Sequence, residues 1–384
     1  MTFPLRAGII GTGFMGSVHA NAVRAAGGDV IAVAGRTQAA AESAAAGLGA
    51  RFAAGTAEAL IARDDVDVVH ICTPNATHAD LAGKAIAAGK AVICEKPLAT
   101  SVDDALELEA LAEQAGVVTG VPFVYRFYPA VREARDRIGR GDAGRLWLLH
   151  GSYLQDWLAG AEATNWRVDS AIGGASRAFG DIGVHWCDLM EFTTGHRITR
   201  LVARTSRAYD QRESGGHLSS VATEDGAALL FETDKGATGS LVVSQVSPGR
   251  KNRLWFSFDG TEASFSFNQE QPDTLHLGRT DSNSRIPVGP ETLTTPGGRR
   301  YAKLPPGHPQ GYQDSFNAFV ADVYAAVQGQ EPDGVPTFRD GLRAAVITDA
   351  VVASAAQQRW VDVPPTGNLI GSLKSSPAAE RQKQ

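Results

Sequence analysis

The residues of this chain that could do chemistry lie at four places. Gly11-Thr12-Gly13-Phe14-Met15-Gly16 carries glycine at the three positions of G-x-G-x-x-G. Following a strand and opening a helix, this spacing suits a pyrophosphate. Gly11 permits the tight turn, Gly13 lets the backbone approach phosphate, and Gly16 lets helix and strand pack closely. Phe14 and Met15 fall in the first helical turn, whose N–H groups and dipole favour an anion. Cys72-Thr73-Pro74-Asn75-Ala76-Thr77-His78 and Glu95-Lys96-Pro97 each end an apolar run. Asp181 and His185 are four apart. On a helix they would share one face, with Cβ atoms about 5–6 Å apart. Histidine suits proton transfer because its unperturbed pKa lies near 6.5. Arg177 and Asp188 would extend that polar stripe, while Phe179, Ile182, Trp186 and Leu189 recur on the buried side.

Elements to position these residues are legible in the first 120 residues. Apolar runs at Leu5–Ile10, Val30–Ala34, Val66–Cys72, Ala91–Glu95 and Val117–Val121 alternate with helix-like segments at Ser17–Ala26, Ala39–Leu48, Ala57–Arg63, Ala79–Ala88 and Val102–Ala115. Strands that are apolar throughout are covered by helices on both faces. The pattern predicts an α/β N-terminal Rossmann domain, a doubly wound parallel sheet whose ligands bind at the carboxyl ends of the strands. After about residue 125 the runs lengthen and carry Thr, Ser, Arg and aromatics: Leu146–Tyr153, Arg200–Ala208, Ala227–Thr233, Thr238–Val246, Leu254–Asp259 and Ala263–Asn268. Asp234-Lys235-Gly236 and Asp259-Gly260 read as hairpin turns. An α+β C-terminal domain with a large, predominantly antiparallel sheet follows, with helices at Pro129–Ile138, Gln313–Val327 and Phe338–Gln358. The expected division is 1–125 for the dinucleotide, 126–365 for substrate binding and oligomerisation, and 366–384 as a flexible tail. Exposed apolar positions on the long sheet predict a homodimer or homotetramer.

Composition narrows the function. At about 100–200 residues per domain, 384 residues fit two domains. Apolar residues make up 43% and charged residues 20%, enough for sizeable cores. Lys and Arg total 36 against 42 Asp and Glu, so the net charge is −6 and no basic block invites nucleic acid. No run of 18 apolar residues suggests a membrane span, and no targeting segment opens the chain. Cys72, Cys94 and Cys187 are too scattered for a disulfide framework and lack zinc-site pairing, so no metal is expected. These features point to the cytoplasm.

G-x-G-x-x-G, then Thr73-Pro74-Asn75-Ala76-Thr77-His78, then Glu95-Lys96-Pro97, resembles the signature of the Gfo/Idh/MocA family of oxidoreductases. The likeness continues through Tyr125-Arg126-Phe127-Tyr128-Pro129, Gly173-Gly174 and Asp181-Ile182-Gly183-Val184-His185, and covers nearly the whole chain. It implies that Thr73, Pro74 and Asn75 line the nicotinamide ribose with Glu95 beside it, that His78 fixes the start of the next helix, and that Lys96 reaches the reacting hydroxyl. Lys96, Asp181 and His185 would be the catalytic set. The second strand ends at Gly35-Arg36 where an acid usually reads the ribose hydroxyls. A cation without an acid favours the 2′-phosphate of NADP. The residues leave NAD and NADP open.

A sugar needs donors and acceptors on a rigid element, and aromatic faces pack against its C–H face. Tyr128, Gln155, Trp157, Trp166 and Arg167 are therefore candidate substrate contacts beside Lys96, Asp181 and His185, with His308 and Tyr312 behind them. The segments Tyr153–Trp157, Asn165–Arg167 and Ser176–Gly183 resemble the levoglucosan dehydrogenases of this family. That likeness implies oxidation of the 3-hydroxyl of an anhydrosugar and leans toward NAD. Inositol and glycoside 3-dehydrogenases, and a reductase of a non-sugar carbonyl or imine, are the alternative enzymes. A non-catalytic NAD(P)-sensing regulator is the alternative of another class. A pure sensor has no need to keep Lys96, Asp181 and His185 together.

Overall fold

The computed structural model describes residues 4–214 and 217–374. Six strands, β1 (Arg6–Ile10), β2 (Asp29–Ala34), β3 (Phe52–Ala54), β4 (Val68–Ile71), β5 (Ala91–Cys94) and β6 (Thr119–Gly120), form a sheet in the order β3-β2-β1-β4-β5-β6. Every pairing is parallel. Helices α1 (Phe14–Ala25), α2 (Gln38–Leu48), α3 (Ala57–Ile61), α4 (His78–Ala87) and α5 (Val102–Ala115) join the strands. The strand order reverses between β1 and β4, which opens the crevice where ligands of such sheets bind. Register sets the edge: Ile10 pairs with Ile71, and Ile71 with Cys94. Gly11, Thr73 and Glu95-Lys96 therefore leave the sheet side by side.

Helix α6 (Pro129–Gly139) leads to β7 (Leu146–Leu154). A loop with α7 (Ser170–Gly173) and a π-helical turn at Phe179–Gly183 then enters α8 (Val184–Thr194). Next come β8 (Ile198–Ser206), β9 (Gln211–Ser214), β10 (His217–Ser220), β11 (Gly226–Thr233), β12 (Thr238–Ser244), β13 (Arg253–Gly260), β14 (Ser264–Asn268), β15 (Thr274–Gly278) and β16 (Asn283–Pro287). The chain closes with α9 (Pro296–Tyr301), α10 (Tyr312–Val327), α11 (Phe338–Gln357), β17 (Val361–Asp362) and α12 (Thr366–Lys374). The second sheet runs β16-β15-β14-β13-β7-β12-β11-β8-β17. It is antiparallel except where β7 lies parallel to β12. Both expected hairpins, β11–β12 and β13–β14, are present. Along β11 the buried residues Ala227, Leu229 and Phe231 alternate with exposed ones, the period of a half-buried strand.

Three features differ from the sequence expectations. The chain does not divide cleanly at residue 125: α10 returns to the first sheet, where Phe316, Phe319, Val320 and Val323 share a core with Ile9, Val23 and Val33. Residues 366–374, expected to start the tail, form α12, with Ile370 buried against the main core; residues 375–384 lie outside the described residues. Strands β3, β9, β10, β15, β16 and β17 were not anticipated, because runs of two to five residues give no usable period.

Candidate active site

The turn after β1 fits a dinucleotide pyrophosphate. Gly11 has φ +113°, and a Cβ there would lie 2.6 Å from the Cys72 carbonyl oxygen. At Gly16 a Cβ would lie 2.2 Å from the Gly11 oxygen, so the helix could not pack this closely. Gly13 faces open space, and no side chain caps α1, which leaves its first N–H groups for a ligand. Phe14 is 75% exposed beside them. Beyond β2, a Cβ on Gly35 would meet the Ala41 amide nitrogen at 3.0 Å, so the close approach of α2 explains the missing side chain. Arg36 is exposed.

At the ends of β4 and β5 the loops are tied together. His78 is buried with Nδ1 2.7 Å from the Pro97 oxygen and Nε2 2.8 Å from the Thr73 oxygen. Thr77 donates its hydroxyl to that of Thr73 at 2.7 Å. Asn75 is buried at the turn after Pro74 and donates to the Gly173 carbonyl at 2.8 Å, bridging to the second half of the chain. Glu95 is buried, 3.1 Å from His19 Nε2 and 3.2 Å from the Lys96 amide.

Lys96 Nζ lies 2.5 Å from Asp181 Oδ1 and 3.0 Å from its carbonyl oxygen. Arg167 Nε reaches the same Oδ1 at 3.3 Å, and Gln245 donates to Oδ2 at 2.7 Å. Burial raises the Asp181 pKa, but Lys96 and Arg167 outweigh it and hold the carboxyl well below the usual range. His185 lies one helical turn further, in edge-to-face contact with Phe123 and Tyr125 at 5.7 and 5.2 Å. Its Nδ1 is buried without a hydrogen-bond partner among the described residues. Burial, then the charge of Lys96, pushes its pKa well below 6.5, so the imidazole is neutral at pH 7. The cluster thus joins an ionised carboxylate, an ammonium and a neutral imidazole.

A polar wall continues from it. Trp157 Nε1 donates to Gln155 at 2.8 Å; Gln155 and the Tyr153 hydroxyl each donate to Asn252 Oδ1 at 2.8 Å. The Tyr153 and Tyr125 hydroxyls also meet. Arg167 stacks on Trp166 with Cζ 4.3 Å from the ring. Tyr312 stands at the same edge, 6.4 Å from Tyr125 between centroids, whereas His308 is exposed on its loop.

Some expected members lie elsewhere. Tyr128 is a correction: it is fully buried and stacked behind Tyr125 at 5.9 Å, with no face left for a substrate. Arg177 and Asp188 do not extend the stripe either. Arg177 is buried against Asp225, and Asp188 pairs with Arg126. Gln245, Asn252, Tyr125 and Tyr153 were missed as site residues. The Tyr125 motif and the Tyr153–Trp157 segment gave a signal, whereas lone amides at strand ends have no diagnostic spacing.

A dinucleotide turn at the edge of a doubly wound sheet, with a Lys–Asp–His cluster at that same edge, defines a nicotinamide-dependent oxidoreductase. The profile of the oxidoreductase family with an NAD-binding Rossmann fold matches residues 5–123, and that of the GFO/IDH/MocA C-terminal domain matches residues 131–266. The chain belongs to the Gfo/Idh/MocA family. It is 33% identical to a levoglucosan dehydrogenase of Pseudarthrobacter phenanthrenivorans, covering 94% of this chain and 98% of that one. It is 26% identical to the inositol 2-dehydrogenase of Rhizobium meliloti over 94% of this chain and 99% of that one. A solved levoglucosan dehydrogenase in complex with NADH and levoglucosan superposes with a TM-score of 0.88 at 32% identity, covering 94% of this chain and all of that one. The chain is thus an NAD-dependent oxidoreductase of a sugar and polyol dehydrogenase family. Among the described residues, no helix is long and apolar enough to cross a membrane.

Proposed function

We propose that this enzyme oxidises a ring hydroxyl of a sugar or anhydrosugar, levoglucosan-like and at C3, to a ketone. The observation that carries this reading is the Lys96–Asp181 contact at the end of β5, beside the dinucleotide turn and walled by Trp157, Gln155 and Asn252. The likeness to levoglucosan dehydrogenase supports the substrate class. Bound at this edge, with Gly11, Gly13 and Gly16 at the pyrophosphate and Thr73, Pro74, Asn75 and Glu95 near the nicotinamide ribose, NAD supplies the hydride acceptor.

The side chains handle the proton. Lys96 donates to the reacting hydroxyl oxygen and stabilises developing negative charge. Asp181, held by Lys96, Arg167 and Gln245, orients both that ammonium and the sugar. His185 takes the proton at Nε2. The imidazolium that forms is disfavoured by burial and by the charge of Lys96, so His185 gives the proton up to water once the ketone has left. NAD is the preferred cofactor, and NADP is admitted, because Arg36 is exposed and position 35 carries no acid to repel a 2′-phosphate. Free thiols at Cys72, Cys94 and Cys187 support a cytoplasmic setting. Assays of NADH and NADPH formation with levoglucosan, glucosides and inositols test the reading. Levoglucosan with NAD should give the highest kcat/KM; a preference for inositol would make the enzyme an inositol dehydrogenase instead, and no turnover of any polyol would overturn the proposal.

A further inference from the structure

Behind the cofactor edge lies a chain of buried polar groups that the proposed mechanism does not use. His19 of α1, His70 of β4 and Tyr324 of α10 are buried in the core of the first sheet, and Glu95 caps their upper end. His19 Nε2 is 3.1 Å from Glu95 Oε1, His19 Nδ1 is 2.9 Å from His70 Nδ1, and His70 Nε2 is 2.9 Å from the Tyr324 hydroxyl. Phe316 packs on His19 with centroids 4.7 Å apart and helps to seal the chain from water.

The donor to Glu95 follows from its charge. Burial raises the Glu95 pKa, but His19, Lys96 and His78 outweigh it and keep the carboxylate ionised, able only to accept. His19 therefore donates from Nε2, and its Nδ1 meets His70 Nδ1. His70 is kept neutral by burial, so one of its ring nitrogens donates and the other accepts. Tyr324, whose burial raises its pKa and keeps its proton, closes the chain at His70 Nε2. The contacts form one continuous line from Tyr324 to Glu95. A buried carboxylate so held stays charged and fixed; without the His19 donor, the burial that raises its pKa is less opposed.

We propose that His19, backed by His70 and Tyr324, is a positioning residue that fixes Glu95 as a carboxylate beside the nicotinamide and so favours the cationic, oxidised ring over the neutral, reduced one. The inference rests on the dinucleotide reading of Glu95 given above. It also couples α10, far along the chain, to the cofactor edge.

Binding of NAD and of NADH, each without sugar, tests this by calorimetry and fluorescence, with thermal melts as folding controls. Loss of a hydrogen bond to a charged group weakens binding roughly tenfold or more. His19→Asn removes the Nε2 donor and should weaken NAD about tenfold and NADH no more than about twofold. His19→Gln carries its amide to the Nε2 position and should restore most of the wild-type ratio. Tyr324→Phe should shift the ratio the same way by a smaller factor. An unchanged NAD to NADH ratio in His19→Asn, or a His19→Gln variant as impaired as His19→Asn, would overturn the proposal. Should His19→Asn fail to fold, Tyr324→Phe decides: a shifted ratio supports the chain and an unshifted one refutes it. A wild-type enzyme that binds neither nucleotide would instead refute the dinucleotide reading itself.

Discussion

His185 owes its chemical character to its surroundings. Phe123, Tyr125 and Tyr153 enclose the ring, and no acceptor reaches Nδ1 among the described residues. Its depressed pKa has a definite sign in kinetics. The base form needed for oxidation persists below the ordinary histidine value and is lost only as pH falls well under 6.5. The rate of oxidation should therefore hold level from about pH 8 through about 6.5 and decline only well below that. His185→Ala should remove this acid limb and lower kcat by about 10²–10⁴-fold with nucleotide affinity retained. An acid limb at or above pH 6.5 that survives in the variant would assign the base to another group. The pair itself was legible in the sequence, because Asp181 and His185 are four apart amid a helical apolar pattern. The π-helical turn between them was not, since one extra residue per turn leaves the apolar pattern almost unchanged.

At the scale of elements, a clasp outside the catalytic set holds the substrate loop. Arg212 of β9 is buried and donates to the carbonyls of Leu158, Gly160 and Ala163 at 3.0, 2.8 and 2.8 Å, and to Asp225 at 2.8 Å. Asp225 also binds Arg177, while Glu224 accepts from Ser176 and the Phe179 amide at 2.7 and 2.9 Å, at the start of the Asp181 turn. One network thus fixes both the loop bearing Trp157, Trp166 and Arg167 and the turn bearing Asp181. Arg212→Leu should raise the sugar KM at least about tenfold with NADH affinity unchanged, and should lower Tm because a buried ion pair is broken. An unaltered KM in the folded variant would show that the loop holds its place without the clasp. This network explains what the sequence hid. The parallel sheet was readable because its strands are apolar on both faces, and the glycine turn because its spacing has a mechanism. Arg177 and Asp188 were misread because their partners, Asp225 and Arg126, lie 48 and 62 residues away. Gln245 and Asn252 join the site only through tertiary packing of β12 and β13.

For the whole molecule, the second sheet presents a face that its own helices do not cover. Trp147, Leu230 and Val242 stand on it at 49%, 51% and 49% exposure. Apolar positions so exposed on neighbouring strands mark an association surface. Light scattering at micromolar concentration should report a homodimer or homotetramer, and Leu230→Asp should shift it toward the monomer. A monomeric wild type would refute this reading of the face.

The central claim is that Lys96 acts on the substrate hydroxyl at the dinucleotide edge, and Lys96→Ala tests it most directly. NADH binding and levoglucosan-dependent NADH formation should be measured on the same preparation. We predict NADH affinity within about twofold of wild type and kcat lowered by about 10²–10⁴-fold. Near-native kcat in the folded variant, or loss of NADH binding with no separate loss in kcat, would contradict the account.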